Sequence, residues 1–294
     1  MHVPVLTQRI EEFLNPQPNQ NFIDATLGRG GHTKRILEKN GPKGKVLAID
    51  WDPEAIQRVA NELSLEFKKR VVFVQENFEH LKDIVLQEKF SHVQGIIFDL
   101  GLSSEQLEDS KRGFSFQRDE ILDMRFNPLH GLDAKKILNF WSRFDIEKIL
   151  KEYGEERFAP MIAKEIVGTR SRSPVVKVSD LLQVIQNATP RWYQKQRLHP
   201  ATKTFQALRI AVNHELESLQ KALPQAADIL EPGGRMAVIS FHSLEDRIVK
   251  NFFKTAATLS PITKKPVIPS PQETKENPRA RSAKLRIAEK KQNA

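Results

Sequence analysis

The chain has no cysteine among its 294 residues, so neither disulfides nor thiolate metal sites contribute to its fold or chemistry. No uninterrupted apolar stretch approaches the roughly 20 residues that a membrane helix needs. The start, Met1-His2-Val3-Pro4, lacks a basic segment followed by an apolar one, so no secretory signal is expected. Histidines and acids are scattered without metal-ligand spacing, and there is neither a Walker lysine pattern nor a G-x-S-x-G elbow. These absences argue against a membrane protein, a disulfide scaffold, a metalloenzyme and a serine hydrolase. The expectation is a cytoplasmic globular protein without a metal.

What the chain does have is charge, unevenly placed. The formal net charge is +9, with hydrophobic residues at 39% and charged residues at 28%. Residues 1–109 carry 13 Lys and Arg against 17 Asp and Glu, whereas residues 110–209 carry 19 against 11. Residues 210–246 carry 2 against 6, and residues 247–294 carry 12 against 3. Two acidic segments thus alternate with two basic ones. The basic ones are the place for a polyanion, unless they are simply a solvated surface.

Hydrophobic periodicity sorts the chain in the same way. Strands are expected at Asn21–Thr26, Lys45–Asp50, Val71–Gln75 and Val93–Leu100. Helices are expected at Thr33–Asn40, Pro53–Leu65 and Phe78–Gln87. That alternation implies an α/β fold with a mostly parallel sheet and helices on both faces. From about Ser103 to Arg209 only helical patterns follow: Asp133–Trp141, Asp145–Tyr153, Glu155–Gly168, Ser179–Asn187 and Thr202–Leu223. Ser179 and Asp145 read as caps. After a helix-stopping turn at Glu231-Pro-Gly-Gly234, a fifth strand is expected at Arg235–Ser240, a helix at Ser243–Thr255 and a late strand at Ala283–Ala288. Ser260–Pro278 reads as a surface loop. The organisation expected is one α/β domain, residues 1–109 and 210–294, interrupted by a helical insertion, residues 110–209.

The chemistry-bearing residues lie at strand ends. Asp24-Ala-Thr-Leu-Gly28-Arg-Gly30-Gly31-His32 joins the first strand to its helix, and its glycines let backbone N–H groups approach a ligand. Asp50 closes the second strand, where an acid accepts hydrogen bonds from ribose hydroxyls. The dinucleotide fingerprint fits poorly, because Thr33 fills the third glycine position. The turn therefore points to an adenosyl ligand, with a tight strand–helix connection as the alternative. Phe78, after the third strand, is placed to stack on adenine or to begin the core of the next helix. Asp99, after the fourth strand, is placed to accept an N–H from an exocyclic amine, which localises that amine's lone pair. It serves equally well as a turn cap.

Three further groups invite a role. Arg112-Gly-Phe114-Ser-Phe116 and Leu122-Asp-Met-Arg125 combine aromatics with arginines suited to an unpaired nucleotide, or to the core of the insertion. Lys203 and Arg209 suit phosphate contact or a structural helix start. In Ser240-Phe-His242-Ser243-Leu-Glu-Asp246-Arg247, Ser243 reads as a helix cap with Asp246 at the capping-box position, and His242 as a satisfied histidine at the sheet edge.

Taken together, these stretches resemble the bacterial ribosomal RNA small-subunit methyltransferase H family, also called MraW. Beside the glycine turn, the resemblance rests on Ala48-Ile-Asp50, Phe98-Asp-Leu-Gly-Leu-Ser-Ser104, Arg112-Gly-Phe-Ser-Phe116 and Leu122-Asp-Met-Arg125. It continues through Tyr153-Gly-Glu-Glu-Arg-Phe158, His199-Pro-Ala-Thr-Lys-Thr-Phe-Gln206, Ser240–Arg247 and Glu276-Asn-Pro-Arg-Ala-Arg-Ser282, in order along nearly the whole chain. The resemblance implies a class I, Rossmann-like methyltransferase domain with an inserted substrate-recognition domain. It implies S-adenosylmethionine as cofactor and, as substrate, the N4 amine of a cytosine in the decoding region of 16S ribosomal RNA on the assembled small subunit. A homodimer stands as an option. The family's cofactor positions fall here on Gly30, Gly31, His32, Asp50, Phe78, Asp99 and Gln106. Trp51 stands where the family often has Arg. Asp99 is not followed by the two prolines and aromatic of other amino-methyltransferases, so Phe114 or Phe116 is the candidate base platform. A DNA or protein methyltransferase on the same fold, or a non-catalytic RNA-binding assembly factor, are the competing readings.

Overall fold

The computed structural model describes residues 4–108 and 111–292. In chain order the first elements are α1 (Thr7–Leu14), β1 (Asn21–Asp24), α2 (Gly31–Lys39), β2 (Val46–Asp50), α3 (Pro53–Phe67), β3 (Val71–Gln75), α4 (Leu81–Gln87) and β4 (Val93–Asp99). Next come α5 (Ser104–Glu108), α6 (Ala134–Phe140), α7 (Arg143–Glu152), α8 (Ala159–Arg170), α9 (Val178–Ala188), α10 (Arg191–Gln194) and α11 (Thr202–Asn213). The last are α12 (Glu215–Ile229), β5 (Leu230–Ser240), α13 (Ser243–Thr255), β6 (Leu259–Pro261), α14 (Pro271–Glu276) and β7 (Lys284–Lys290). Two compact units result. One joins the residues up to Gly101 with those from Leu216 onward, and the other is Leu102–Glu215.

The first unit is a seven-stranded sheet in the order β3-β2-β1-β4-β5-β7-β6. The pairs from β3 through β5 are parallel, and β7 runs antiparallel to both β5 and β6. Successive strand residues face opposite layers, as a pleat requires. Phe22, Ala48, Ile97 and Ile239 pack with Ile10, Ile36 and Val59 on one side. Ile23, Ile49, Phe98 and Val238 pack with Leu81, Leu223 and Phe253 on the other. Near-continuous burial along β2 and β4 is what a sheet covered on both faces demands. Strand order reverses between β1 and β4, and that switch point sets Asp24 and Asp99 at neighbouring strand ends.

The second unit is helical and has its own core, in which Leu138, Leu150, Ile162, Ile166, Leu181 and Leu208 are fully buried. Its only strand-like pairing among the described residues is an isolated bridge between Ile121 and Lys177.

Several local expectations are corrected. The helix expected over Thr202–Leu223 is two helices, broken at His214, whose φ of 51° ends α11 in the left-handed region. The turn at 231–234 lies inside β5 as a bulge: Val93 pairs with Leu230 and Gly95 with Arg235. Helix α7 is capped by Ser142, whose Oγ accepts from the Asp145 N–H at 3.1 Å, so Asp145 is not the cap. Helix α9 begins before Ser179: Asp180 Oδ2 accepts from the N–H groups of Val176 and Lys177 at 2.9 and 2.8 Å. The cap of α13 is His242 with Glu245, not Ser243 with Asp246. Asp246 instead binds Arg286 of β7 at 2.6 and 3.2 Å. The segment expected as a loop over Ser260–Pro278 contains α14, whose Glu273 accepts from the Leu6 N–H at 2.6 Å.

Candidate active site at the carboxyl edge of the sheet

Strands β1, β2 and β4 each end on an acid, and the three carboxylates have different surroundings. Asp24 is buried; its Oδ2 accepts from Thr33 Oγ1 at 2.7 Å and its Oδ1 from the Thr26 N–H at 3.2 Å. Burial pushes its pKa above the ordinary carboxylate value, against the lowering effect of the Thr33 bond. Asp50 accepts from the Gly28 N–H at 2.8 Å and from the Asp52 N–H at 2.9 Å. Burial also raises Asp50, to about 6, despite those two bonds.

Asp99 is tied to β1 through its own N–H, which donates to Thr26 Oγ1 at 2.6 Å. Its Oδ2 lies 3.6 Å from His32 Nε2, and its Oδ1 is buried with no hydrogen-bond partner among the described residues. His32 itself is buried on the first turn of α2. Burial pulls its pKa down, but the adjacent Asp99 and Asp24 carboxylates outweigh that and hold it above the usual value.

The glycine turn completes the edge. Gly28 and Gly30 have φ of 51° and 73°, and Gly30 starts α2 without a side-chain cap. The first-turn N–H groups of α2 are thereby left to a polar ligand group. At Gly31 a Cβ would stand 2.1 Å from Cγ of Pro4, so the glycine lets the N-terminal segment close over the turn. Gly31→Ala should therefore displace that segment and cost about 2 kcal/mol of stability. Thermal unfolding with and without S-adenosylmethionine checks this: both the midpoint and the ligand-induced rise should shrink, and an unchanged pair of curves contradicts it.

Phe78 sits on a 3-10 turn after β3, edge-on to Phe98 with ring centroids 5.6 Å apart. Gln106 belongs to the helical unit, where it is buried and exchanges bonds of 3.0 and 3.2 Å with Ser103. The structure therefore brings Gly30, Gly31, His32, Asp50 and Asp99 to one sheet edge, with Phe78 behind the third strand. Sequence reading gave no role to Asp24, Thr26 or Pro4. The run Asp24-Ala-Thr26, polar residues ending an apolar strand, was the signal for the first two.

The residues expected to meet RNA all lie in the helical unit, and most are engaged there. Arg112 is buried and donates to the carbonyls of Arg125 and Phe126 at 3.1 and 2.8 Å. Arg125 forks onto Asp123 at 2.8 and 2.6 Å. Phe114 is in the core, stacked on Phe126. Phe116 is half-buried and lies flat on the exposed ring of His199, with centroids 4.3 Å apart. Lys203 donates to the Glu155 carbonyl at 2.7 Å. Arg209 makes a two-bond pair with Glu215 at 2.8 and 2.9 Å. Among the described residues no group of three or more His, Cys, Asp or Glu could hold a metal, and no helix is long and apolar enough to cross a membrane.

A sheet of this order, with a glycine turn opening the first helix and acids closing the strands beside it, is the fold of a class I, S-adenosylmethionine-dependent methyltransferase. The residues present suit that cofactor: uncapped α2 N–H groups for a carboxylate, and the Asp50 carboxylate for hydroxyl donors. The chain belongs to the MraW methylase family, whose model matches residues 1–291. A relative from Heliobacterium modesticaldum is 44% identical over 98% of both chains, and one from Synechococcus elongatus is 47% identical over 98% of this chain and 94% of its own. Both are called ribosomal RNA small subunit methyltransferase H. A solved rRNA methylase from Streptococcus thermophilus aligns over 99% of both chains with a TM-score of 0.48 and 12% identity.

Proposed function

We propose that this enzyme methylates the N4 amine of a cytosine in the decoding region of 16S ribosomal RNA, acting in the cytoplasm on the assembled small subunit. The observation that carries the chemistry is the Asp99 carboxylate. One oxygen is beside His32, and the other is buried and without a donor at the sheet edge. A buried acceptor without a donor is costly, and an incoming N–H removes that cost. The full-length relatives named for small-subunit ribosomal RNA support the choice of substrate.

S-adenosylmethionine, when bound, supplies an electrophilic methyl group. Gly30, Gly31, His32, Asp50 and Phe78 are assigned to holding it. Asp99 then accepts one N–H of the amine, keeps the lone pair from delocalising into the ring, and receives the proton the amine gives up. The Thr26 hydroxyl fixes the Asp99 backbone, while His32 Nε2 stands 3.6 Å from its Oδ2. The helical unit is assigned to the RNA. Phe116, half-open and stacked on His199, is the better placed of the two phenylalanines for contact with a base, since Phe114 is core.

Mass spectrometry of ribosomal RNA fragments, after reaction with small subunits, naked RNA or DNA, tests the assignment. One added methyl on a decoding-region cytosine, greatest on subunits and falling as salt rises, is expected. Methylation at another position, or equal activity on DNA, refutes it.

A further inference from the structure

The residues first suited to RNA are largely engaged inside the helical unit, while a different surface of that unit is built for contact. Trp192 on α10 is 51% exposed. The Arg157 guanidinium, on an exposed residue before α8, lies over its ring at 5.5 Å from the centroid. The two are held together from beneath. Their chain neighbours Glu156 and Tyr193 are buried, and the Tyr193 hydroxyl donates to Glu156 Oε2 at 2.7 Å. The Phe158 ring packs edge-on against both Trp192 and Tyr193, at 5.7 and 4.8 Å. Arg191 immediately before Trp192, and Lys195 and Arg197 shortly after it in the chain, are exposed. Unlike Arg125 and Arg209, neither they nor Arg157 form an ion pair with a carboxylate among the described residues.

Covering most of the Trp192 ring would be the ordinary use of so large an apolar surface. Instead the buried Glu156–Tyr193 bond and the Phe158 ring tie down its chain neighbours and leave it half exposed, with Arg157 over its ring and Arg191, Lys195 and Arg197 exposed nearby in the chain. An aromatic plate among cations matches a flexible polyanion that carries flat rings. The bases stack on the indole and on the guanidinium plane, and the phosphates meet the remaining charges. We infer that Arg157, Trp192, Arg191, Lys195 and Arg197 form a single-stranded RNA contact surface, on which an unpaired base of the substrate stacks against Trp192. This rests on the reading that the substrate is RNA.

The test uses the full-length enzyme with small subunits and, separately, with naked 16S ribosomal RNA. Trp192→Ala should weaken binding to both about 10-fold, and Trp192→Phe should restore most of it. Arg157→Ala should also lower the salt slope by about one ion. The thermal rise caused by S-adenosylmethionine should be unchanged in all three variants, which excludes a general folding defect. In a Trp51→Phe/Trp141→Phe background the remaining indole should be quenched when RNA is added. Unchanged affinity with an unquenched indole overturns the proposal. So does weaker binding to subunits with normal binding to naked RNA, which would make the surface a protein contact. A wild-type enzyme that methylates no ribosomal RNA defeats the functional reading itself. Wild-type activity with an indifferent Trp192 defeats only the surface.

Discussion

Asp99→Asn should lower kcat by about 10²- to 10³-fold while leaving the affinity for S-adenosylmethionine within about threefold. The substitution keeps the volume and the backbone bond to Thr26 Oγ1. What changes is the buried Oδ1, now an acceptor with no partner among the described residues. An amide placed there either turns its NH₂ toward the substrate amine, donor against donor, or turns it toward His32 and offers a weaker, neutral acceptor. In both cases the lone pair is held less well and the proton has no carboxylate to receive it. An interaction needed only as the new bond forms appears in kcat rather than in ligand binding. Single-turnover transfer of labelled methyl, beside calorimetric cofactor binding, separates the two. Equal loss in both measurements makes Asp99 a cofactor ligand and removes its catalytic role.

Asp50 sets the second large effect. Its carboxyl is raised to about 6 by burial, against an ordinary value of 3.8. The native state therefore holds an extra proton between those two values. This group favours folding as pH falls from 6 toward 4, and opposes it above 6. With Asp50 assigned to the cofactor's ribose, binding is expected to run the other way, because the hydroxyls need an ionised acceptor. Affinity for S-adenosylmethionine should be full above pH 7 and should drop about 10-fold per unit below pH 6. Asp50→Asn should weaken binding about 100-fold at pH 7.5 and abolish that acid limb. Titrations between pH 5 and 8 decide it; a flat wild-type profile, or an acid limb surviving in the variant, contradicts the assignment.

The parallel core and its acid-ended strands were legible because they depend on local periodicity. Val71–Gln75 and the apolar run ending at Asp99 leave little choice of structure. Caps were less legible, since two overlapping pairs, His242 with Glu245 and Ser243 with Asp246, fit nearly the same rule. The choice was made 40 residues away, where Arg286 takes Asp246. The break at His214 was hidden for a similar reason. Neither Gly nor Pro marks it, and the residue before it is fixed by distant backbone. Asn213 accepts from the Phe126 N–H and donates to the Met124 carbonyl, both at 2.7 Å. The arginines expected to face RNA had the right composition, but their partners, Asp123, Glu215 and two carbonyls, are visible only in three dimensions.

The bond from the Leu6 N–H to Glu273, with Pro4 lying over Gly31, has a consequence for the order in which the molecule matures during synthesis. The helical unit is one unbroken stretch, so it can leave the ribosome whole and fold from near-neighbour contacts. The sheet unit cannot. β4 must wait for β5, more than a hundred residues later, and the segment over the glycine turn is not anchored until α14 has been made. The glycine turn is thus among the last parts of the chain to be secured, and a nascent chain stopped short of α14 would carry a folded helical unit without a finished sheet unit.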